Sequence, residues 1–149
     1  MNNAYHLRTG IGIKKFVKPT DYPKNYTEKP EPAIRYADIL LEKAEAITRG
    51  GTATNGETAQ SLFNQIRSYV KAPTIDHNPT LQEIYEERGR EFFDENWRRN
   101  DMIRFGHYED EFFPHYKDFP DASFDKRHRI FPVPQNTINL NGWEQNPGY

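Results

Sequence analysis

Cysteine is absent from the 149-residue chain, which excludes disulfides, thiolate nucleophiles and thiolate metal sites but does not fix the compartment. Apolar residues are scarce as well: they make up 35% of the chain, and mean hydropathy is −1.00. No window approaches the apolar run that spans a bilayer, and the opening Met1-Asn2-Asn3-Ala4-Tyr5-His6-Leu7-Arg8 lacks the apolar centre of an export signal. By itself the chain reads as soluble. There is no basic excess either, since net charge is −2 and the isoelectric point is near 6.2. That removes the electrostatic footprint of a nucleic-acid binder and gives no support to membrane-surface attraction. Lysine is missing from Ala72 to Tyr116, a stretch in which Arg88, Arg90, Arg98, Arg99 and Arg104 carry all the positive side-chain charge outside histidine. Arginine in place of lysine suits planar, repeated hydrogen bonding better than a merely solvated face requires.

What is abundant is aromatic. Ten Phe, nine Tyr and two Trp make up 14% of the residues, and their large side chains can bury area that few Leu and Val provide. The length suits one core of ordinary size, so residues 1–149 are expected to form a single domain. Residues 1–32 read as irregular or extended, broken by Gly10, Gly12, Pro19, Pro23, Pro30 and Pro32. Residues 33–106 read as helical. In the first helix Ile34, Ala37, Leu40, Leu41, Ala44 and Ile47 recur at helical spacing, with Pro32 at its start and Gly50-Gly51 at its end. A second helix is expected from about Glu57 to Val70, with Leu62, Phe63, Ile66, Tyr69 and Val70 on one face. The short connector between them predicts an antiparallel hairpin whose length fits one tetratricopeptide-type unit.

A third helix opens on a capping box, Thr80 with Glu83. From there Leu81, Ile84, Tyr85, Arg88 and Phe92 share a face, and Arg88 is the charged member of an apolar stripe. Either its guanidinium is buried with a carboxylate, with Glu91, Asp94 and Asp101 the local candidates, or its stem packs while its head reaches water. A short helix from about Arg98 to Phe105 stops at Gly106. Residues 107–149 read as an irregular aromatic-rich loop followed by a C-terminal strap. Pro132 and Pro134 fix two φ angles and hold Phe131 and Val133 extended, Pro134 to Ile138 fit one helical turn, and Asn146-Pro147-Gly148 is turn chemistry. Phe131, Val133 and Tyr149 are the expected anchors of that strap.

These segments carry a resemblance. Ile34-Arg35-Tyr36-Ala37-Asp38 with Ala44-Glu45-Ala46, Asn64-Gln65-Ile66-Arg67, Glu87-Arg88 with Glu91-Phe92-Phe93, Trp97-Arg98-Arg99 with Asp101-Met102-Ile103-Arg104-Phe105-Gly106, and Arg129 with Phe131-Pro132-Val133-Pro134 before Gln145-Asn146-Pro147-Gly148-Tyr149 follow one another in order. Together they resemble the C-terminal portion of the RagB/SusD family of outer-membrane nutrient-uptake lipoproteins. Thr9-Gly10 with Lys14-Lys15-Phe16 resembles the segment before them. Asn96 stands where the family usually has Gly, and Gly142 where it usually has Pro. Asn tolerates left-handed φ and Gly142 keeps a turn possible, so neither departure threatens the fold. The resemblance implies an all-α SusD-like fold. It further implies that the N-terminal half with its lipid-anchored cysteine lies elsewhere, and that Met1 marks an artificial start, a truncated reading frame or an internal start.

For function, the resemblance implies a non-catalytic binding protein on the external face of the outer membrane. It would capture an oligosaccharide or another nutrient for a TonB-dependent, SusC-like β-barrel transporter. The alternative is a helical protein-interaction module without a small ligand, docking through the hairpin from Ala33 to Val70 and the Arg/Glu-rich surface after it. Tyr and Trp combine flat apolar faces with polar edges, which suits sugars, so Tyr108, Tyr116 and Trp143 are the candidate ligand contacts. Phe112, Phe113, Phe119 and Phe124 suit the covering of helix faces better. Glu86, Glu87, Glu91, Asp94 and Glu95 include residue types for glycoside hydrolysis, but they alternate faces of one helix amid arginines. A structural ion network of Arg88, Glu91, Asp101, Arg104 and Arg129 is the favoured reading. His107 and His115 with Asp110 and Glu111 lack a recognised metal-ligand spacing. Gly10 and Gly12 lack the third glycine of a dinucleotide loop, and Ser61, Ser68 and Ser123 lack a nucleophile elbow. No cofactor, metal or nucleic acid is expected.

Overall fold

The structure, a computed structural model, describes residues 33–110 and 125–149. Among the described residues the regular structure is helical, without a strand. Helix α1 spans Tyr36–Thr48, α2 Ala59–Tyr69, α3 Leu81–Glu91, α4 Arg98–Phe105 and α5 Gln135–Asn141, with a 3-10 turn over Lys126–Arg129 before α5. The expectations for residues 1–32 and for Phe112, Phe113, His115, Tyr116, Phe119 and Phe124 fall outside the described residues.

The end of α1 follows from its two glycines. Gly50 takes φ +100°, and the Gly50 and Gly51 amides donate to the Ile47 and Ala46 carbonyls at 2.9 and 2.8 Å. Those bonds satisfy carbonyls that the helix would otherwise leave orphaned. The chain then turns through Asn55 and Gly56, both with positive φ, and α2 begins at a capping box. In it Thr58 Oγ1 accepts from the Ser61 amide at 3.0 Å, and Ser61 Oγ accepts from the Thr58 amide at 2.9 Å. Asn64 reaches out of α2 to exchange both hydrogen bonds with the Ile75 backbone at 2.8 and 2.9 Å, fixing the link to α3.

The core sits where α1, α2 and α3 meet. Leu40, Leu41 and Ala44 face Ala59, Leu62, Phe63 and Ile66, and Ile84 and Phe92 close the layer, with Trp97 and Phe105 packed against it. α3 packs against α1, and α4 against α3. Helix α4 ends at Gly106, φ +82°. Between α3 and α4 the chain reverses through Asp94 and Asn96 at φ +66° and +64°. The left-handed conformation that Asn tolerates is thus the one Asn96 adopts.

Several expectations are corrected. Ile34 precedes α1 and is 64% exposed, so it is not part of the apolar stripe. Tyr69 and Val70 keep the helical register of Leu62 and Ile66 but are not buried: they sit at the last turn and C-cap of α2, at the open end of the hairpin beside the start of α1, and are 89% and 49% exposed. α5 runs to Asn141 and stops at left-handed Gly142, longer than the single turn its Pro134 start suggests. Of the expected strap anchors, Phe131 is 72% exposed. Val133 is half-buried and Tyr149 is exposed, its hydroxyl donating to the Ile130 carbonyl at 2.9 Å, so among the described residues the anchors hold the strap to itself and to Arg99 and not to the core.

Candidate functional site

The largest fully buried side chain among the described residues is Arg88. Its place on α3 follows from the apolar stripe it shares with Ile84 and Tyr85, and burial obliges it to find carboxylates. Two supply them. Arg88 Nε donates to Asp101 Oδ1 at 2.9 Å, and Arg88 Nη1 lies 2.7 Å from Asp38 Oδ1, off the hydrogen-bond axis. Asp38 is the partner that the local candidates Glu91 and Asp94 did not include. Helical spacing carries its signal, since Asp38, Leu41 and Glu45 lie at i, i+3 and i+7 on the buried face of α1.

The network extends by alternating signs. Asp101 Oδ1 also accepts from Arg104 Nη2 at 2.8 Å, Arg104 Nη1 bonds Glu45 Oε2, and Glu45 Oε1 accepts from Arg49 Nε at 2.9 Å. Burial works against the Arg104 charge, but Asp101 and Glu45 outweigh it and hold the guanidinium above its ordinary value. α1, α3 and α4 are therefore joined by charge through the middle of the apolar core. Arginine serves here because its plane also stacks: Arg49 and Arg104 lie 5.2 and 5.0 Å from the Phe105 ring, and Arg88 and Arg35 lie 4.9 and 5.1 Å from Phe92. A lysine ammonium cannot combine forked bonds with a flat face.

Glu91 and Arg129 are placed in other groups. Arg35 Nη2 donates to Glu91 Oε1 and Arg35 Nε to Glu95 Oε2, both at 2.8 Å. Burial opposes the Arg35 charge, yet the bonds it donates to Glu95 and Glu91 raise its pKa. Arg129 forms a two-pronged pair with Glu109, across the gap between α4 and the strap, which holds the Glu109 carboxyl below its usual range. Of the other acidic residues on α3, Glu87 takes Arg67 and Arg90, each at 2.7 Å, and Glu86 faces Arg90 at 3.8 Å. Carboxylates locked to guanidinium groups are poorly suited to the protonated-acid role that glycoside hydrolysis demands.

The candidate ligand contacts separate. Tyr108 is half-buried, its hydroxyl donates to the His128 carbonyl at 3.0 Å, and Arg99 lies 5.5 Å from its ring. It ties α4 to the strap. Trp143 follows α5 and is 59% exposed. Tyr116 falls outside the described residues. Among the described residues no group of three or more His, Asp or Glu side chains is arranged to hold a metal, and no helix is long and apolar enough to cross a membrane.

Clefts flank α3 among the described residues. One, of about 520 Å³, lies under the α3–α4 turn and is lined by Phe92, Phe93, Asp94, Asn96 and the arginines of α3 and α4. Another, of about 470 Å³, lies between Arg67, Val70 and Ala72 on one side and Glu87 and Glu91 on the other. A third, of about 310 Å³, lies at the open end of the α1–α2 hairpin.

The model of the SusD family matches residues 2–149. A curated relative, the starch-binding protein SusD of Bacteroides thetaiotaomicron, is 30% identical over 136 residues, which cover 89% of this chain and 24% of the relative. The chain thus spans about a quarter of the length of that relative.

Proposed function

This chain belongs to the SusD family, and we propose that it serves as the C-terminal helical part of a non-catalytic glycan-binding protein on the outer face of the outer membrane. The ligand class is an oligosaccharide. The partner is a TonB-dependent, SusC-like β-barrel transporter to which the captured glycan passes. The observation that carries this reading is the match over nearly the whole chain, joined to a relative named for starch binding. The ion pairing of the α3 carboxylates agrees with binding in place of bond cleavage. Within this chain Trp143 offers an open indole for stacking against a sugar ring.

The test is retention of the chain in native gels cast with soluble starch. Slowed migration, relieved by Trp143→Ala, is the expected result. Unaltered migration with starch and with β-glucan and xylan gels would refute glycan binding by this part. A second reading, a protein-interaction module, is favoured by one feature: Ile130, Phe131, Leu140 and Trp143 are exposed apolar side chains clustered in sequence along the strap. Co-purification of a barrel transporter that is lost with Phe131→Ser and Leu140→Ser, while starch retention stays absent, would establish it.

A further inference from the structure

The cleft at the open end of the hairpin has the composition of a sugar subsite. We infer that the groove between the start of α1 and the end of α2 binds one or two residues of a neutral glycan chain, with Tyr36 and Tyr69 as its stacking groups. This rests on the glycan-binding reading above and locates a contact that the sequence did not single out.

The floor is apolar: Leu40 and Ile66 are core residues and Ala37 is half-buried against them. The rim is aromatic and polar. Tyr36 and Tyr69 both line the groove while remaining 69% and 89% exposed. Large aromatic side chains held in water at the mouth of an apolar cleft leave area that a ligand can cover. The two hydroxyls and the Gln65 amide, all lining the groove, make no hydrogen bond among the described residues. Each can both donate and accept, which matches sugar hydroxyls.

Charge decides the class of ligand. The ionic groups of the wall, Arg35 and Glu91, bond each other at 2.8 Å, and Arg35 also holds Glu95 at 2.8 Å. The Arg35 guanidinium is further backed by the Phe92 ring at 5.1 Å. A carboxylate or ammonium ligand would compete with those ion pairs for its counter-charge, whereas a neutral polyol need not. The volume, about 310 Å³, is at the small end of ligand sites, in keeping with a subsite and not a complete receptor for a long chain.

Titration of the 149-residue chain with maltoheptaose, laminarihexaose and xylohexaose, followed by tyrosine and amide NMR shifts, tests the assignment. Tyr69→Ala and Tyr36→Ala should each weaken the tightest of these by about tenfold, roughly the loss of 1.4 kcal/mol. Tyr69→Phe should keep most of the affinity, because it retains the ring. Both alanine variants should melt at the temperature of the parent, since the side chains they remove are exposed. Undiminished binding in both alanine variants, with Trp143→Ala abolishing it, would overturn the groove and leave the glycan reading intact. No shift with any of the three sugars would overturn both. Tighter binding of oligogalacturonate than of the neutral sugars would refute the neutrality argument. A dimer in sedimentation that Tyr69→Ala dissociates, without effect on sugar binding, would make the groove a self-association surface instead.

Discussion

The helical part and the strap invert the usual distribution of side chains. Inside α1, α3 and α4 the most deeply buried side chains include Arg88, Asp38 and Asp101, while along the strap Phe131, Leu140 and Trp143 stand in water. The interior charges are secured by partners on three helices. The strap is secured through main-chain oxygens: Arg99 Nη2 donates to the His128 and Arg129 carbonyls at 2.7 and 3.1 Å, Gln145 brackets the Val133 backbone at 2.7 and 2.9 Å, and the Tyr149 hydroxyl donates to the Ile130 carbonyl at 2.9 Å. Side chains define the core, and polar clamps on backbone define the strap. An element fastened by its backbone leaves its apolar side chains free for another surface.

The largest expected effect lies in the core. Arg88→Met removes the only guanidinium described between Asp38 and Asp101 and leaves Asp38 buried without its counter-charge. Asp101 keeps Arg104. A loss of about 3–5 kcal/mol is expected, read as a fall in the denaturant midpoint at unchanged slope. A midpoint equal to that of the parent would show that the buried network contributes nothing. Arg88→Met combined with Asp38→Leu should recover part of the loss, because the stranded carboxylate is then gone.

The Gly89–Arg98 contact gives a sharper test at lower cost. A Cβ at Gly89 would sit 2.7 Å from Arg98 Nη1, and that guanidinium lies 3.8 Å from the Tyr85 ring centre and donates to the Tyr85 carbonyl at 3.1 Å. Alanine is worth about 1 kcal/mol over glycine inside a helix. In an Arg98→Ala background, Gly89→Ala should therefore stabilise by about that amount. In the parent it should not, since it displaces a stacked cation worth about the same. Equal effects in both backgrounds would separate the glycine from the arginine. On the strap, Arg99→Ala should raise amide exchange from Ile130 to Val133, with a global loss of about 1 kcal/mol or less. A loss as large as that of Arg88→Met would erase the contrast between the two regions.

Much of the helical part was legible because its signals are local. The Thr80–Glu83 box, the Gly50-Gly51 stop, the bounds of α4 and the tolerance of Asn96 for left-handed φ each rest on residues within one turn of each other. The burial of Arg88 was legible as a choice between two states, from its apolar neighbours. Its pairing with Asp38 was not, since fifty positions of chain separate them and only the packing of α1 on α3 closes that distance. Glu91 illustrates the converse, for it lies three residues from Arg88 yet bonds Arg35, which stands 5.1 Å from the Phe92 ring. The strap's fastening is less local. Prolines predict stiffness but not what holds the segment, and the strap is fastened by Arg99, Asn146 and Gln145 on its backbone while Phe131 stays exposed.

The smallest effect is expected at the start of α3, where charge is exposed and neither buried network nor strap takes part. The Glu83 carboxyl is lowered from 4.5 to about 2, first by the Thr80 amide at 2.8 Å and then by His77 and the Thr80 hydroxyl, each at 2.9 Å. A carboxyl depressed in the folded state adds stability above its unfolded pKa, and that stability is lost as pH falls from about 4.5 towards about 2. His77 runs the other way. Glu83 and then Asp76 raise its pKa above 6.5, so its share is complete below 6.5 and disappears as pH climbs past the raised value. The cap is therefore at full strength between about 4.5 and 6.5. The difference in thermal midpoint between the parent and Glu83→Gln should be largest in that window and shrink on both sides. His77→Ala should remove only the alkaline decline. A difference that stays constant from pH 3 to pH 8 would mean that Glu83 caps α3 through geometry alone, with its charge and that of His77 irrelevant to the fold.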